Sequence, residues 1–155
     1  MSPRIRQFLA DQGVAFQLHA HAPIASFEQA RAALPFDPDA MVKGLAFRLP
    51  DGGYTIAAMQ GATRADYKKI ADALGIRRAD LRAAAADDLA HDLDMMPGGV
   101  APLPIAGAVV LFDRAVLELD TIYCGTGRTD TTLQIDRATL IRIAGGRVEA
   151  LTKLA

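Results

Sequence analysis

Apolar residues recur at helical spacing in several segments of the chain, and most of these segments have recognisable start or stop signals. One segment opens on Ser26 and Gln29, which form a capping box, and two others stop at Gly13 and Gly75, where glycine is favoured after a helix. The predicted helices span residues 2–12, 26–34, 64–74 and 137–144, with shorter helical pieces from residue 87 and at residues 114–119.

Short runs of alternating or uninterrupted apolar residues predict strands between these helices. Two of the strands are expected to form a hairpin through Asp51-Gly52-Gly53. The predicted strands span residues 14–19, 41–49, 54–59, 108–112, 121–124 and 132–135, with a short extended piece near Leu81. Hairpins mixed with helices in irregular order favour an α+β fold, with a curved and mostly antiparallel sheet or partial barrel surrounded by helices.

Length and composition are typical of one soluble globular domain spanning residues 1–155, because 51% of the residues are hydrophobic and 23% are charged. The net charge of −1 provides no general attraction to nucleic acid, so any RNA contact would be local or assisted by a partner. The apolar runs are too short to span a bilayer, and the first residues lack the apolar core of a signal peptide. With Cys124 as the single cysteine, no internal disulfide is possible, and we expect a cytoplasmic protein without membrane contact.

Residues 96–105, Met-Pro-Gly-Gly-Val-Ala-Pro-Leu-Pro-Ile, exclude both a helix and a regular central strand. The prolines stiffen this segment, whereas Gly98 and Gly99 allow a positive φ or a close approach of the backbone. A rigid turn of this kind either presents backbone N–H groups to an anion or carbonyl oxygen, or tightly connects two elements without a ligand. The loop by itself leaves both interpretations open.

Lys43 interrupts the apolar strand predicted for residues 41–49. Burial of an ammonium without a partner is costly, so this side chain either faces solvent on an edge strand or pairs with an anion. In the second interpretation it binds a phosphate or an oxyanion at the floor of a pocket. The residues alone do not decide between the two.

Other candidate ligands are less well supported. His19 and His21 would face the same side of a strand, but no third ligand is evident, so we predict no metal site. Cys124 is expected to be a small buried hydrophobe. A nucleophilic cysteine would need a histidine partner and an electropositive setting, and the sequence shows neither. Gly125-Thr126-Gly127 lacks the βαβ context of a dinucleotide site, and no cofactor is predicted.

Five segments, taken in order along most of the chain, resemble the YbaK family, the free-standing relatives of the editing domain inserted in bacterial prolyl-tRNA synthetases. Val42-Lys43-Gly44-Leu45 resembles the strand that bears the family's functional lysine. Gly98-Gly99-Val100-Ala101-Pro102-Leu103 resembles its Gly-Gly-Ile-Ser-Pro loop. The other similar segments are the strand at 16–19, the helix at 66–75, and the strand, basic turn and strand at 121–135.

The resemblance implies a trans-editing aminoacyl-tRNA deacylase that hydrolyses the ester of mischarged tRNA, with tRNA(Pro) carrying a small non-cognate amino acid as the expected substrate. It implies that Lys43 anchors the terminal adenosine through its phosphate, and that Gly98 and Gly99 offer N–H groups to the ester carbonyl. The residues implied to contact the substrate are His21, Val100, Pro102, Tyr123, Gly127, Arg128 and Gln134. The implied partners are the aminoacylated 3′ end of tRNA and either prolyl-tRNA synthetase or an elongation factor.

The chain departs from the family pattern where the side chain of the amino acid would be selected. A family tyrosine after the first strand has no match in the shortened His19-Ala20-His21 segment, Gln134 replaces an acidic residue, and the turn at 125–132 is longer. The edited amino acid therefore stays open among alanine, cysteine, serine and threonine.

Two other functions fit the same residues. A non-catalytic module that binds tRNA ends or nucleotides for a synthetase would need no acid–base pair, and a small-molecule hydrolase would use Cys124. The evident basic cluster is either a solvated helix face or a weak, salt-sensitive site for tRNA. Its members are Arg64, Lys68, Lys69, Arg77 and Arg78.

Overall fold

The computed structural model describes residues 1–154, and these residues form five helices. Their bounds are α1 (Pro3–Gln12), α2 (Phe27–Ala33), α3 (Tyr67–Leu74), α4 (Ala86–Asp88) and α5 (Arg137–Ala144). The helix α4 continues directly into a π-helical turn, Leu89–Leu93, that ends at Asp94 with φ +55°.

Side-chain caps determine where four of the helices begin. The hydroxyls of Ser2 and Ser26 accept hydrogen bonds from the third residue into α1 and α2, and the carboxylates of Asp66 and Asp136 do the same for α3 and α5. The helix predicted from residue 64 therefore begins at Tyr67, after its acidic cap. Predicted stops at Gly13 and Gly75 are confirmed, since both glycines have a positive φ.

Eight strands are present in the described part of the chain, and they form two sheets. The strands are β1 (Gln17–Ala20), β2 (Val42–Arg48), β3 (Tyr54–Gln60), β4 (Arg82–Ala83), β5 (Val109–Asp113), β6 (Thr121–Cys124), β7 (Thr131–Asp136) and β8 (Arg147–Glu149). A three-stranded antiparallel sheet has the order β1-β7-β6, and a five-stranded mixed sheet has the order β4-β2-β3-β5-β8.

The predicted α+β class and mostly antiparallel pairing are confirmed, but the single curved sheet is divided into two. The pairs β3–β5 and β5–β8 are parallel, and β8, which the apolar pattern did not predict, forms an edge of the larger sheet. One isolated parallel bridge, between Met41 and Tyr123, connects the start of β2 to β6 in the other sheet. No closed barrel forms within residues 1–154.

Two hydrophobic clusters pack against opposite faces of the five-stranded sheet. Alternation along β3 places Ile56 and Ala58 in the larger cluster, together with side chains of the three-stranded sheet such as Ile122 and Leu133. The intervening residues Ala57 and Met59 face the smaller cluster, which α3 covers. The larger cluster therefore holds the two sheets together.

No helix within residues 1–154 combines the length and the apolarity needed to cross a lipid bilayer.

Candidate functional site

A cavity of about 330 Å³ opens where the two sheets approach each other. Its walls are formed by α2 and the segment before it, the start of β2, the loop at 96–105, the end of β6 and the turn that leads into β7. Apolar side chains of one wall include Ile24, Phe27 and Leu34, whereas Ser26, Thr129 and Thr131 add hydroxyl groups. The cavity can therefore hold a small ligand with both polar and apolar parts.

Gly99 and Gly125 allow two loops to cross with their backbones in contact. A Cβ on Gly99 would lie 2.6 Å from the carbonyl oxygen of Arg128, and a Cβ on Gly125 would lie 2.4 Å from the carbonyl oxygen of Val100. The crossing is closed by a hydrogen bond of 2.6 Å that the Gly127 N–H donates to the Gly99 carbonyl. Any side chain at these glycines would push the loops apart.

The loop at 96–105 lines the cavity with Gly98 and Val100. The N–H of Gly99 donates to the Met96 carbonyl at 2.9 Å, so this donor is used within the turn itself. By contrast, the N–H groups of Gly98 and Val100 have no acceptor within residues 1–154. Because Val100 is buried, a ligand that accepted its N–H hydrogen bond would satisfy an otherwise unpaired donor.

Gly44 brings β2 close to this loop, since a Cβ at this position would lie 3.0 Å from the Val100 carbonyl oxygen. The neighbouring Lys43 lies at the rim of the cavity and is half-buried. Its ammonium donates hydrogen bonds to the carbonyl oxygens of Gly61 and Thr63. Two of its three N–H donors are thus used, and the third can bind an anion.

Partial burial without a carboxylate partner lowers the pKa of Lys43 from its ordinary value of 10.5. Within residues 1–154, no carboxylate lies within 4.0 Å of its ammonium. A bound phosphate would offset this desolvation, which makes Lys43 suitable as an anion ligand.

His21 and Thr132 form a polar part of the cavity wall. Nδ1 of His21 lies 2.8 Å from the Ala22 carbonyl, which can only accept, so this nitrogen carries a proton. Nε2 lies 2.8 Å from the Thr132 hydroxyl, so both ring nitrogens have a hydrogen-bond partner. This arrangement leaves the ring without a free nitrogen for proton abstraction and directs it towards a role in binding.

Arg128 lines the cavity, but its guanidinium is directed away to Asp94. It donates to an Asp94 carboxylate oxygen at 2.8 Å and to the Asp94 backbone carbonyl at 2.9 Å. The guanidinium of Arg128 holds the pKa of the Asp94 carboxyl below its ordinary value of 3.8. The ion pair ties the turn before β7 to the end of the π-helical turn, and it thereby supports the crossing of the two loops.

Tyr123 lines the cavity and stacks on Phe36, with ring centroids 4.3 Å apart. The rings of His19 and Phe36 meet edge to face, with their centroids 4.6 Å apart. Nε2 of His19 donates a hydrogen bond of 2.7 Å to the side-chain oxygen of Gln134. The sequence pattern did not single out Phe36, because its position after Pro35 in a short irregular segment carries no periodicity.

The structure brings six of the ten candidate residues to the cavity wall. These six are His21, Lys43, Gly98, Val100, Tyr123 and Arg128. The other four lie outside it: Gly99 and Gly127 form the backbone crossing, Pro102 is a buried residue of the loop, and the Gln134 side chain is hydrogen-bonded to His19.

Helix α2 provides an apolar wall that the sequence pattern did not indicate. Phe27 packs against Gly61, where a Cβ would lie 2.1 Å from the ring, so this glycine is required for docking of the helix. A glycine directly after a strand was the available signal, but its partner is 34 positions away in the sequence and could not be inferred.

Cys124 lies in the cavity wall but is almost completely buried, with 4% of its surface exposed. Burial raises the pKa of its thiol to about 12, so very little thiolate forms near neutral pH. No carboxylate is among the described residues that line the cavity. The described residues also contain no group of three or more histidine, cysteine, aspartate or glutamate side chains that could hold a metal ion.

Comparison with known proteins adds family and fold. Residues 21–143 match the model of the aminoacyl-tRNA editing domain family. No curated protein matches the chain. The crystal structure of hypothetical protein APE2540 has a TM-score of 0.84 and 22% identity, covering 97% of this chain and 99% of that one. A second crystal structure has a TM-score of 0.85 and 19% identity, covering 99% of both chains. Its name provisionally describes that protein as a trans-editing enzyme for prolyl tRNA synthetase.

Proposed function

The chain belongs to the aminoacyl-tRNA editing domain family, and from this premise we propose that it is a trans-editing deacylase. It hydrolyses the ester between a small non-cognate amino acid and the 3′ end of tRNA, with tRNA(Pro) as the first candidate. The observation that carries this proposal is a cavity lined by Gly98 and Val100, whose backbone N–H groups are unused, and by Lys43, whose ammonium has no carboxylate partner among the described residues. The similarity to a fold neighbour named for prolyl tRNA synthetase supports the choice of tRNA(Pro).

The proposed reaction relies on positioning and on backbone donors. Water attacks the ester carbonyl carbon, and the N–H groups of Gly98 and Val100 stabilise the negative charge that develops on its oxygen. The bond to the ribose oxygen then breaks, this oxygen takes up a proton, and the free amino acid and tRNA are released. Because the wall supplies no carboxylate, the vicinal ribose hydroxyl of the substrate is the proposed group that orients the water.

Lys43 is proposed to bind the phosphate of the terminal adenosine. The carbonyls of Gly61 and Thr63 hold its ammonium at the cavity rim, so one N–H remains directed to the ligand. Gly99 and Gly127 are proposed to act through the backbone crossing that fixes the loop, rather than by contacting the ester.

The cavity supports a small amino acid as the group removed. A volume of about 330 Å³ must accept both the ribose and the aminoacyl group, which leaves little space for a large side chain. The lining combines the hydroxyl groups of Ser26, Thr129 and Thr131 with apolar residues of α2, a mixture that fits alanine, cysteine, serine or threonine.

A thiol mechanism is disfavoured by the burial of Cys124 and by the raised pKa of its thiol. A binding module without turnover, in contrast, would use the same cavity and the same donors. Only a measurement of hydrolysis separates that module from an enzyme.

The test is deacylation of tRNA(Pro) charged with alanine, cysteine, serine or threonine, followed as loss of the labelled amino acid. We expect one ester to be cleaved well above its spontaneous rate. Lys43→Ala should lower kcat/KM by about 10- to 100-fold, the effect of losing one hydrogen bond to a charged group.

The matched control is Lys69→Ala, which removes a lysine that donates to the Thr152 carbonyl and does not line the cavity. We expect this variant to retain wild-type rates. Binding of the charged tRNA without any acceleration of hydrolysis would refute the deacylase and establish the binding module.

A further inference from the structure

A second depression, of about 580 Å³, lies on the other side of Lys43 and is strongly basic. We define it as the basic groove by its five cationic residues, Lys43, Arg64, Lys68, Arg78 and Lys153. Asp66 is the single carboxylate among its described lining residues. A local excess of positive charge in a chain with a net charge of −1 indicates a site for an anionic ligand.

Two basic residues close in sequence to the groove cations do not line the groove, because tertiary contacts hold their side chains elsewhere. Arg77 pairs with Asp80, and Lys69 donates to the Thr152 carbonyl, so neither charge is presented to the groove. Within residues 1–154, the side chains of Arg64 and Arg78 have no carboxylate within 4.0 Å. These two guanidinium groups are therefore available to an external anion.

The orientation of Arg78 is fixed by Tyr67. The guanidinium carbon lies 4.7 Å from the centroid of the Tyr67 ring, and the same ring is held by an edge contact with Phe47 at 5.2 Å. The carboxylate of Asp66 accepts from the Lys69 N–H as the cap of α3, so the one acidic group of the groove is engaged in the helix. Lys68 pairs with Asp72 one turn along α3, so the cations of the groove without a carboxylate partner among residues 1–154 are Lys43, Arg64, Arg78 and Lys153.

Lys43 and Leu45 line both the basic groove and the cavity, so the two depressions adjoin at these residues. Lys43 donates to Gly61 and Thr63, in the turn that leads directly to Arg64. A ligand with a phosphate at Lys43 can therefore extend further anionic groups along the groove. A single-stranded nucleic acid has this form, with one phosphate for each nucleotide.

We propose that the basic groove binds the sugar–phosphate backbone of the single-stranded 3′ end of tRNA, immediately upstream of the terminal adenosine. This inference rests on the proposed function for the identity of its ligand, since the cavity would hold the aminoacylated adenosine. Arg64 and Arg78 contact the upstream phosphates, while Lys43 contacts the terminal one. The groove therefore distinguishes tRNA from a short aminoacyl ester through affinity.

The experiment compares two substrates that carry the same amino acid. One is the intact mischarged tRNA, and the other is the 2′(3′)-aminoacyl ester of AMP, which keeps the terminal phosphate but lacks those upstream. The ratio of kcat/KM for the tRNA to kcat/KM for the short ester is measured for the wild-type chain and for Arg64→Gln/Arg78→Gln. We expect this ratio to fall about tenfold in the double variant, because only the longer substrate reaches the two arginines.

Salt dependence provides a second readout. Each phosphate contact of a single strand contributes about 0.7 to the slope of log affinity against log salt, so two lost contacts should make the slope shallower by about 1.4. The matched control is Arg6→Gln/Arg142→Gln, which removes the same charge from exposed positions outside both depressions. We expect the control to keep the wild-type ratio and slope.

The outcomes separate the groove from the deacylase. If the wild-type chain hydrolyses both substrates and the double variant keeps the ratio and the slope, the groove proposal is overturned while the enzyme stands. If the wild-type chain hydrolyses neither, the proposed function fails. In that case the groove proposal is tested separately, by measuring the binding of an uncharged oligonucleotide that ends in CCA with fluorescence anisotropy. If the wild-type chain and the double variant have the same affinity and the same salt dependence, the groove proposal is overturned.

Discussion

At the residue scale, the candidate site depends on positions that have no side chain. Gly99 and Gly125 allow carbonyl groups of the opposite loop to approach where a Cβ would otherwise lie. This crossing fixes the loop in which Gly98 and Val100 line the cavity with N–H groups that have no acceptor among the described residues. Rigid placement of such donors matters because removal of one can cost on the order of 10²–10³ in rate.

Gly125→Ala tests the crossing directly. The added methyl group would overlap the Val100 carbonyl oxygen, which belongs to the backbone and cannot rotate away. We expect a loss of about 1–3 kcal/mol in the free energy of unfolding, with a fall in deacylation that is larger than any change in substrate affinity. Urea unfolding, together with separate kcat and KM values, measures both effects.

Gly53→Ala is the matched control, because its methyl group would meet only the flexible side chain of Asp51 at 3.1 Å in a remote hairpin. If Gly125→Ala were as stable and as active as this control, the close crossing would have no functional importance.

At the scale of elements, caps and contacts between segments explain where the helices begin and how the site is supported. Ser26, Asp66 and Asp136 are short polar residues that accept from helix N–H groups, and such signals are readable in the sequence. The segment after residue 86 is different, because α4 passes into a π-helical turn that no local pattern indicates. It ends at Asp94, whose carboxylate accepts a hydrogen bond from Arg128 in the turn before β7.

The ion pair between Asp94 and Arg128 predicts a dependence of stability on pH. A carboxyl with a lowered pKa contributes stability that is complete above the unfolded value near 3.8, and that is lost as the pH falls through the folded value. We expect Asp94→Asn to lower the free energy of unfolding by about 1–3 kcal/mol at pH 7, with the difference disappearing under strongly acidic conditions.

Urea unfolding at pH 7, 5 and 3 measures this difference, and Asp11→Asn on the exposed face of α1 controls for the loss of a carboxylate. Asparagine tolerates the positive φ of position 94, so the substitution adds no backbone strain. A difference that stays constant down to pH 3 would contradict an ionic contribution.

At the scale of the whole molecule, the division into two sheets creates the cavity. The bridge between Met41 and Tyr123 holds the sheets together at one point, and the larger hydrophobic cluster fills the space beyond it. Cys124 belongs to this cluster and also lines the cavity, so access to its thiol reports on how tightly the two sheets remain closed.

Thiol labelling at pH 8 tests this closure. A pKa of about 12 leaves roughly one thiolate in 10⁴ molecules, whereas an unfolded cysteine with a pKa of about 8.5 is about one quarter ionised. We expect native Cys124 to react at least about 10³-fold more slowly than in urea, as followed by mass spectrometry. Alkylation of the native chain within tenfold of the unfolded rate would indicate a cavity that opens readily.

The local pattern of the sequence determined the α+β class, the main helices, the hairpin and the proline-stiffened loop, because these depend on side chains and turns that are close in the chain. Its ordered motifs also indicated the editing family, which the match over residues 21–143 confirms. The strand β8 has no comparable local signal because it is short and half-buried, and its pairing with β5 supplies the stability that its own residues do not.

Only the tertiary structure decided which residues share the site. It separated Gly98 and Val100, which face the cavity, from Gly99, whose N–H serves the turn, and it added the apolar wall of α2. It also placed Arg64, Lys68 and Arg78, three of the five residues of the predicted basic cluster, in one groove with Lys43. The physical reason is that backbone donors and exposed charges carry no periodic pattern, so their direction and partners depend on contacts between distant segments.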